Sequence, residues 1–199
     1  RTKKIDRHMR RITRALGPVR ELDVVCQMLE EFGACGKASR QAVAKLRQAV
    51  MRERNELRED MVRRIERCDL EKLEKHAVSA ARKAGKGSKK DHRERLAGAY
   101  ARAAERAVQL EAAIDAAAGI YLPDRLHVVR IAVKKLRYAA EVVRELSRSR
   151  ATARIRALKQ VQDLLGRMHD LEVLIARTRA VQSSPDMPSL KVSAELERF

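Results

Sequence analysis

The chain has 199 residues, with 45 Lys and Arg against 27 Asp and Glu, a formal charge of +18. Hydrophobic residues make up 45% and recur regularly, which excludes a disordered polyelectrolyte, and the scarcity of Gly and Pro favours long helices. Such an excess of cations repels itself in a compact chain unless an anion is near, so the partners to consider are nucleic acid, an anionic membrane surface or another polyanion.

Residues 4–31 carry a helical pattern in two runs, Ile5, Met9, Ile12 and Leu16, then Leu22, Val25, Met28 and Leu29, with Gly17-Pro18 predicting a turn or kink between them. "EFGACGKAS" breaks the pattern at 31–39. A long helix is expected from Arg40 to Arg67, with Val43, Leu46, Val50, Leu57, Met61 and Ile65 on one stripe, and another from Leu70 to Ala84. "KAGKGSKKD", residues 83–91, is small, flexible and basic. It divides the chain into a first helical half, 1–84, and a second, 92–199, joined by 85–91. An Ala-rich helix is expected over 92–119. Asp124 is the expected N-cap of the next, "LHVVRIAVKKLRYAAEVVREL" at 126–146. A further helix starts near Ala153, and "SSPDMPS" at 183–189 precedes a short terminal one. No stretch alternates with period two, so the fold class is all-α.

The two halves contain a repeat. Residues 7–29 read "RHMRRITRALGPVRELDVVCQML" and residues 156–178 read "RALKQVQDLLGRMHDLEVLIART". Gly17 matches Gly166, Arg20 matches His169, Glu21 matches Asp170, Asp23 matches Glu172 and Arg10 matches Lys159. Polar positions match as well as apolar ones, which chance similarity of two helices would not require. In the second copy a helix lies upstream of the shared core; its counterpart would precede Arg1, so the chain is expected to start inside the first copy.

At 100° per residue, Val128, Val129, Ala132, Val133, Leu136, Ala139, Ala140 and Val143 fall on one broad side of the 126–146 helix, which should enter a bundle core. Opposite them His127, Arg130, Lys134, Arg137 and Tyr138 share an arc of roughly 100°, with Lys135 on its flank and Glu141 the one acid near it. Like charges at helical spacing cost each other roughly 0.2–0.5 kcal/mol per pair, which water alone would tolerate. The stripe is not solitary, however. Arg7, Arg10 and Arg14 share a face in the first copy, joined by Arg20, and Lys159 and His169 add to the second. Cations repeating every turn suit a linear polyanion: Arg grips phosphate through two parallel hydrogen bonds, Lys is a mobile point charge, and His127 adds a donor sensitive to pH.

Other chemistry finds little support. Of His8, His76, His92, His127 and His169 no two are spaced i, i+4, no Cys-x-x-Cys occurs, and a metal meeting His127 and His169 would be repelled by their cationic surroundings. No set of nucleophile, base and orienter can be assembled, so no enzyme activity, cofactor or metal is expected. Glu21, Asp23, Glu141, Asp163, Asp170 and Glu172 read as partners that orient arginines and lysines. Tyr100, Tyr121 and Tyr138 are too scattered for base stacking along a strand, which leaves backbone-only nucleic-acid binding as the alternative. Three cysteines, Cys26, Cys35 and Cys68, without close pairing fit reduced thiols in the cytoplasm. No run nears the ~20 apolar residues of a membrane span, and no signal peptide is visible.

His127 to Tyr138, read as His-x-x-Arg-x-x-x-Lys-Lys-Leu-Arg-Tyr, resembles the CHAD family, named for conserved histidines in an α-helical domain. Leu-Gly-x-x-His-Asp-Leu-x-Val at 165–173 is similar to the family too, and Leu-Gly-Pro-Val-Arg-Glu-Leu-Asp-Val at 16–24 resembles it as a degenerate first copy. The resemblance implies two helical bundles related by an internal pseudo-twofold, with a basic groove or channel between them. It implies binding of inorganic polyphosphate without chemistry, in the cytoplasm or at polyphosphate granules, with nucleic acid a weaker competitor. Carried over by position, the contacts are His127, Arg130, Lys134, Arg137 and Lys159, with Lys135, Tyr138 and His169 beside them. Repeat symmetry adds Arg10, Arg7, Arg14 and Arg20. Some family members accompany a triphosphate-hydrolysing domain, which nothing in this sequence resembles.

Overall fold

The computed structural model describes residues 2–34, 40–85, 88–119, 122–149 and 152–183. They form six helices and no strand: α1 Thr2–Ala34, α2 Arg40–Glu66, α3 Leu70–Gly85, α4 Lys89–Ala117, α5 Pro123–Ser147 and α6 Thr152–Gln182. Among the described residues no helix is long and apolar enough to cross a membrane. By internal contacts the chain forms two compact units, one of Arg1–Lys83 with Glu172–Phe199 and one of Ala84–Leu171. The expected terminal loop and helix beyond 183 lie outside the described residues, as do residues 35–39 of the break expected at 31–39, while 31–34 continue α1.

In the first unit α1 and α2 form a helical hairpin. Leu22, Val25, Met28 and Leu29 of α1 meet Ala42, Leu46 and Val50 of α2, all at most 2% exposed. Arg54 of α2 donates to Asp23, Arg47 to Glu30 at 3.1 Å, and Arg177 in the last part of α6 to Glu53 at 2.8 Å. Cys26 lies against α2, its thiol donating to Met51 Sδ at 3.6 Å. Burial pushes that thiol's pKa up, opposed in part by Arg54 and Arg47.

The expected interruption at Gly17-Pro18 is absent: α1 is continuous and Pro18 lies inside it. A proline clashes with the Cβ and amide of the residue before it, and here that residue is a glycine with no Cβ. The two runs nevertheless differ in burial. Leu22 is fully buried, while Met9 and Leu16 are about half exposed, because along one unbroken helix they fall on another side.

In the second unit α4 packs along α5. Its core is Ala113 with Val129, Ala132 and Val133, flanked by Leu110, Ala117, Leu158 and Leu165, so α5 is held by α4 on one side and by the first part of α6 on another. Arg125 donates to the Ala116 carbonyl at 2.8 Å, satisfying an orphan acceptor at the end of α4. Two boundaries differ from expectation. Helix α4 starts at Lys89 rather than 92, because Ser88 caps it. Helix α5 starts at Pro123, with Leu122 in the cap position and Asp124 already inside the first turn. Proline needs no amide partner at a first helical position, and an acid in that turn suits the helix dipole, so Asp124 keeps a favourable place without capping. Val128, expected in the core, is 56% exposed; it lies at one edge of the apolar arc, about 100° from Val129 and about 140° from Val133.

The α4 cap is reciprocal: Asp91 N–H donates to Ser88 Oγ at 3.2 Å, and Ser88 N–H donates to Asp91 Oδ2 at 2.7 Å. The backbone bond from Ser88, then the one from its hydroxyl, holds the Asp91 carboxyl below its usual range. A carboxyl with a lowered folded pKa binds protons less readily than in the unfolded chain. The box therefore stabilises above the ordinary aspartate range and fades as pH falls through the lower folded value. An NMR titration should give Asp91 a midpoint below that of a short peptide of the same residues, and Ser88→Ala should raise it. A midpoint equal to the peptide's would mean the cap does not form.

The matched glycines of the repeat lie 149 residues apart. Moved by that interval, α1 would cover 151–183, and α6 covers Thr152–Gln182. The two matched segments thus each fold within one helix, of 33 and 31 residues, with its glycine near the middle. Neither Gly17 nor Gly166 has an atom within 4 Å of where a Cβ would stand, so packing does not explain the match.

Candidate anion-binding faces

Because Val129, Ala132 and Val133 turn inward, α5 presents the opposite arc at the surface of the second unit. His127, Lys134, Lys135 and Tyr138 are exposed, and Arg130 and Arg137 half-buried at the margins. From His127 to Arg137 the arc runs about 15 Å along the axis. Among the described residues no carboxylate pairs with Arg130 or Lys134.

Arg137 is different. Its side chain is only 14% exposed. Nε donates to Gln162 Oε1 on α6 at 2.8 Å, Nη1 donates to Glu141 Oε1 one turn along α5, and the guanidinium lies 4.2 Å from the centroid of the Tyr138 ring. Cation–π contact and two hydrogen bonds fix one plane for this group.

Helix α6 brings two further predicted residues to the unit. His169 approaches His127 with ring centroids 5.4 Å apart and planes tilted by 52°, so residues far apart in sequence do meet. Lys159 is exposed and donates to Asp163 at 2.7 Å, one turn on. Gln162, which joins α5 to α6 through Arg137, was not visible as a functional residue. A neutral amide gives no signal in a pattern of charges, and only the packing of Leu158 and Leu165 against α5 puts it in reach.

In the first unit Arg7, Arg10, Arg14 and Arg20 are all exposed on α1. Arg10 Nε donates to Asp6 at 3.0 Å; both side chains are well exposed, and such a pair is worth about 0–1 kcal/mol. An anion can displace it at little cost, and the same holds for Lys159 with Asp163. Arg7, Arg10 and Arg14 lie within about 60° of one another on this unbroken helix, whereas Arg20 is turned about 120° from Arg14 and does not continue their stripe. His8 Nδ1 is 2.8 Å from the Lys4 carbonyl oxygen.

The acids expected to orient the stripes divide into two groups. Glu141 and Asp163 do contact stripe residues, whereas Asp23 bonds Arg54, which belongs to the hairpin and to no stripe. A depression of about 410 Å³ lined by Gly33, Val43, Ala44 and Met51, with Arg40, Arg47 and Gln48, sits at the far end of α1 from the arginine stripe. No group of three or more His, Cys, Asp or Glu that could hold a metal occurs among the described residues.

A family model described as "CHAD domain" matches residues 1–179. No curated protein and no solved structure matches the chain.

Proposed function

Since the chain belongs to the CHAD domain family, we propose that it binds inorganic polyphosphate through its basic helical faces and performs no chemistry on it. The observation that carries this reading is the α5 arc, where among the described residues Arg130 and Lys134 stand one turn apart without a carboxylate partner while Arg137 is held in a fixed plane beside them. A chain of phosphates carries a charge at every phosphorus, and cations repeating each 5.4 Å turn meet it along its length. His127, His169, Lys159, Lys135 and Tyr138 border that arc, and Arg7, Arg10 and Arg14 form the corresponding face of the first copy, with Arg20 to one side. The twofold-related halves and basic groove that the resemblance implies are part of the same reading, as are a cytoplasmic location and association with polyphosphate granules.

Nucleic-acid backbone binding is the competing reading, because both ligands are gripped through phosphates and both complexes weaken with salt. Titrating long-chain polyphosphate, single-stranded RNA and duplex DNA at one salt concentration separates them. Polyphosphate should bind at least about tenfold more tightly than either nucleic acid, a gap of about 1.4 kcal/mol. Equal affinities, or a preference for nucleic acid, would overturn the proposal.

A further inference from the structure

Among the described residues, Arg137 is the one member of the basic arc whose guanidinium is tied to another helix. We infer that Gln162 and Glu141 are positioning residues for polyphosphate binding: they hold Arg137 in its bound orientation before the anion arrives. The inference rests on the polyphosphate reading above.

The chemistry of the two acceptors differs in a way that fits this role. Gln162 takes the Nε hydrogen with a neutral oxygen, so the restraint from α6 leaves the arginine's charge intact. Glu141 takes one hydrogen of Nη1 with a charged oxygen, and neither bond uses Nη2. Tyr138 supports one face of the guanidinium plane. An arginine restrained in this way loses less rotational freedom on binding than one that is free in solvent, and its fork meets phosphate already aligned. Arg130 and Lys134 have no such support among the described residues, so the restraint distinguishes Arg137 within its own arc.

The experiment is a double-mutant cycle on the whole chain with long-chain polyphosphate, using Arg137→Ala, Gln162→Leu and the two combined. Gln162→Leu should weaken binding about three- to tenfold while leaving the slope of log affinity against log salt unchanged, because the cation is still present. Arg137→Ala should lower that slope by about one. The double variant should bind no more weakly than Arg137→Ala alone, since the amide acts only through the arginine. Additive losses, or full affinity in Gln162→Leu, would overturn the inference. Gln162→Met serves if the leucine variant loses helix content. The Arg137 Nε–H resonance of the ligand-free protein gives a second readout: sharp and slowly exchanging in the parent, averaged in Gln162→Leu. If it is averaged in the parent too, the arginine is not held and the inference fails. If the parent shows no polyphosphate binding, it is the polyphosphate reading that fails, while this resonance still reports on the restraint.

Discussion

Arg130→Ala combined with Lys134→Ala should reduce affinity for long-chain polyphosphate about a hundredfold. A hydrogen bond to a charged group contributes about 1.5–3 kcal/mol, and 1.4 kcal/mol corresponds to tenfold, so each residue accounts for about a factor of ten. The salt slope should fall by about two, one for each cation removed from contact. Helix content should not change. Lys134 is exposed and Arg130 half-buried on the side of α5 away from Val129 and Val133, and alanine is the best helix former. Circular dichroism with titrations at three salt concentrations would check each part. Unchanged affinity would mean that the stripe is a solvated surface and that the polyphosphate reading is wrong.

Leu22→Ala should have the largest effect on stability. The side chain is fully buried, with Met28, Leu29 and Leu46 equally inaccessible. Removing a core leucine side chain to alanine costs about 2–5 kcal/mol through lost burial and the cavity left behind. The total stability of a domain is only about 5–15 kcal/mol, so this is a large share. Urea unfolding followed by circular dichroism should show the midpoint shift. Leu16→Ala on the same helix is the internal control, because Leu16 is 43% exposed and should cost far less. Equal losses at the two positions would contradict the burial of the hairpin.

Much of the helical order was legible because the apolar residues repeat at helical spacing and the breaks between them hold Gly, Pro and Ser. The starts of α2 and α3 coincide with the reading, and the basic arc of α5 follows from the spacing of His127, Arg130, Lys134 and Arg137 at about 100° per residue. What escaped depends on contacts between segments. Whether Val128 is buried is decided at the edge of an arc, where 100° per residue no longer separates inside from outside. Asp124 loses the cap to its neighbour because Pro123 can open the helix itself. The meeting of Arg137 with Gln162 is set by how α6 packs through Leu158 and Leu165, whereas that of His127 with His169 was already conceivable from the sequence. No local pattern in α6 contains that registration. The charge at Arg137 was readable; the fact that it is held was not.

Helix α1 has a property that follows from Pro18. Proline in a helix interior is about 3 kcal/mol less favourable than alanine, and its missing amide leaves the Arg14 carbonyl without the donor it would normally have four residues on. Gly17 removes the clash with the preceding Cβ but does not restore the missing hydrogen bond, so an isolated peptide of residues 2–34 should part at that level into the two runs its sequence displays. The continuity of α1 is therefore a product of assembly: Leu22, Val25, Met28 and Leu29, clamped against α2, anchor the part after Pro18 from which the turns bearing Arg7, Arg10 and Arg14 continue.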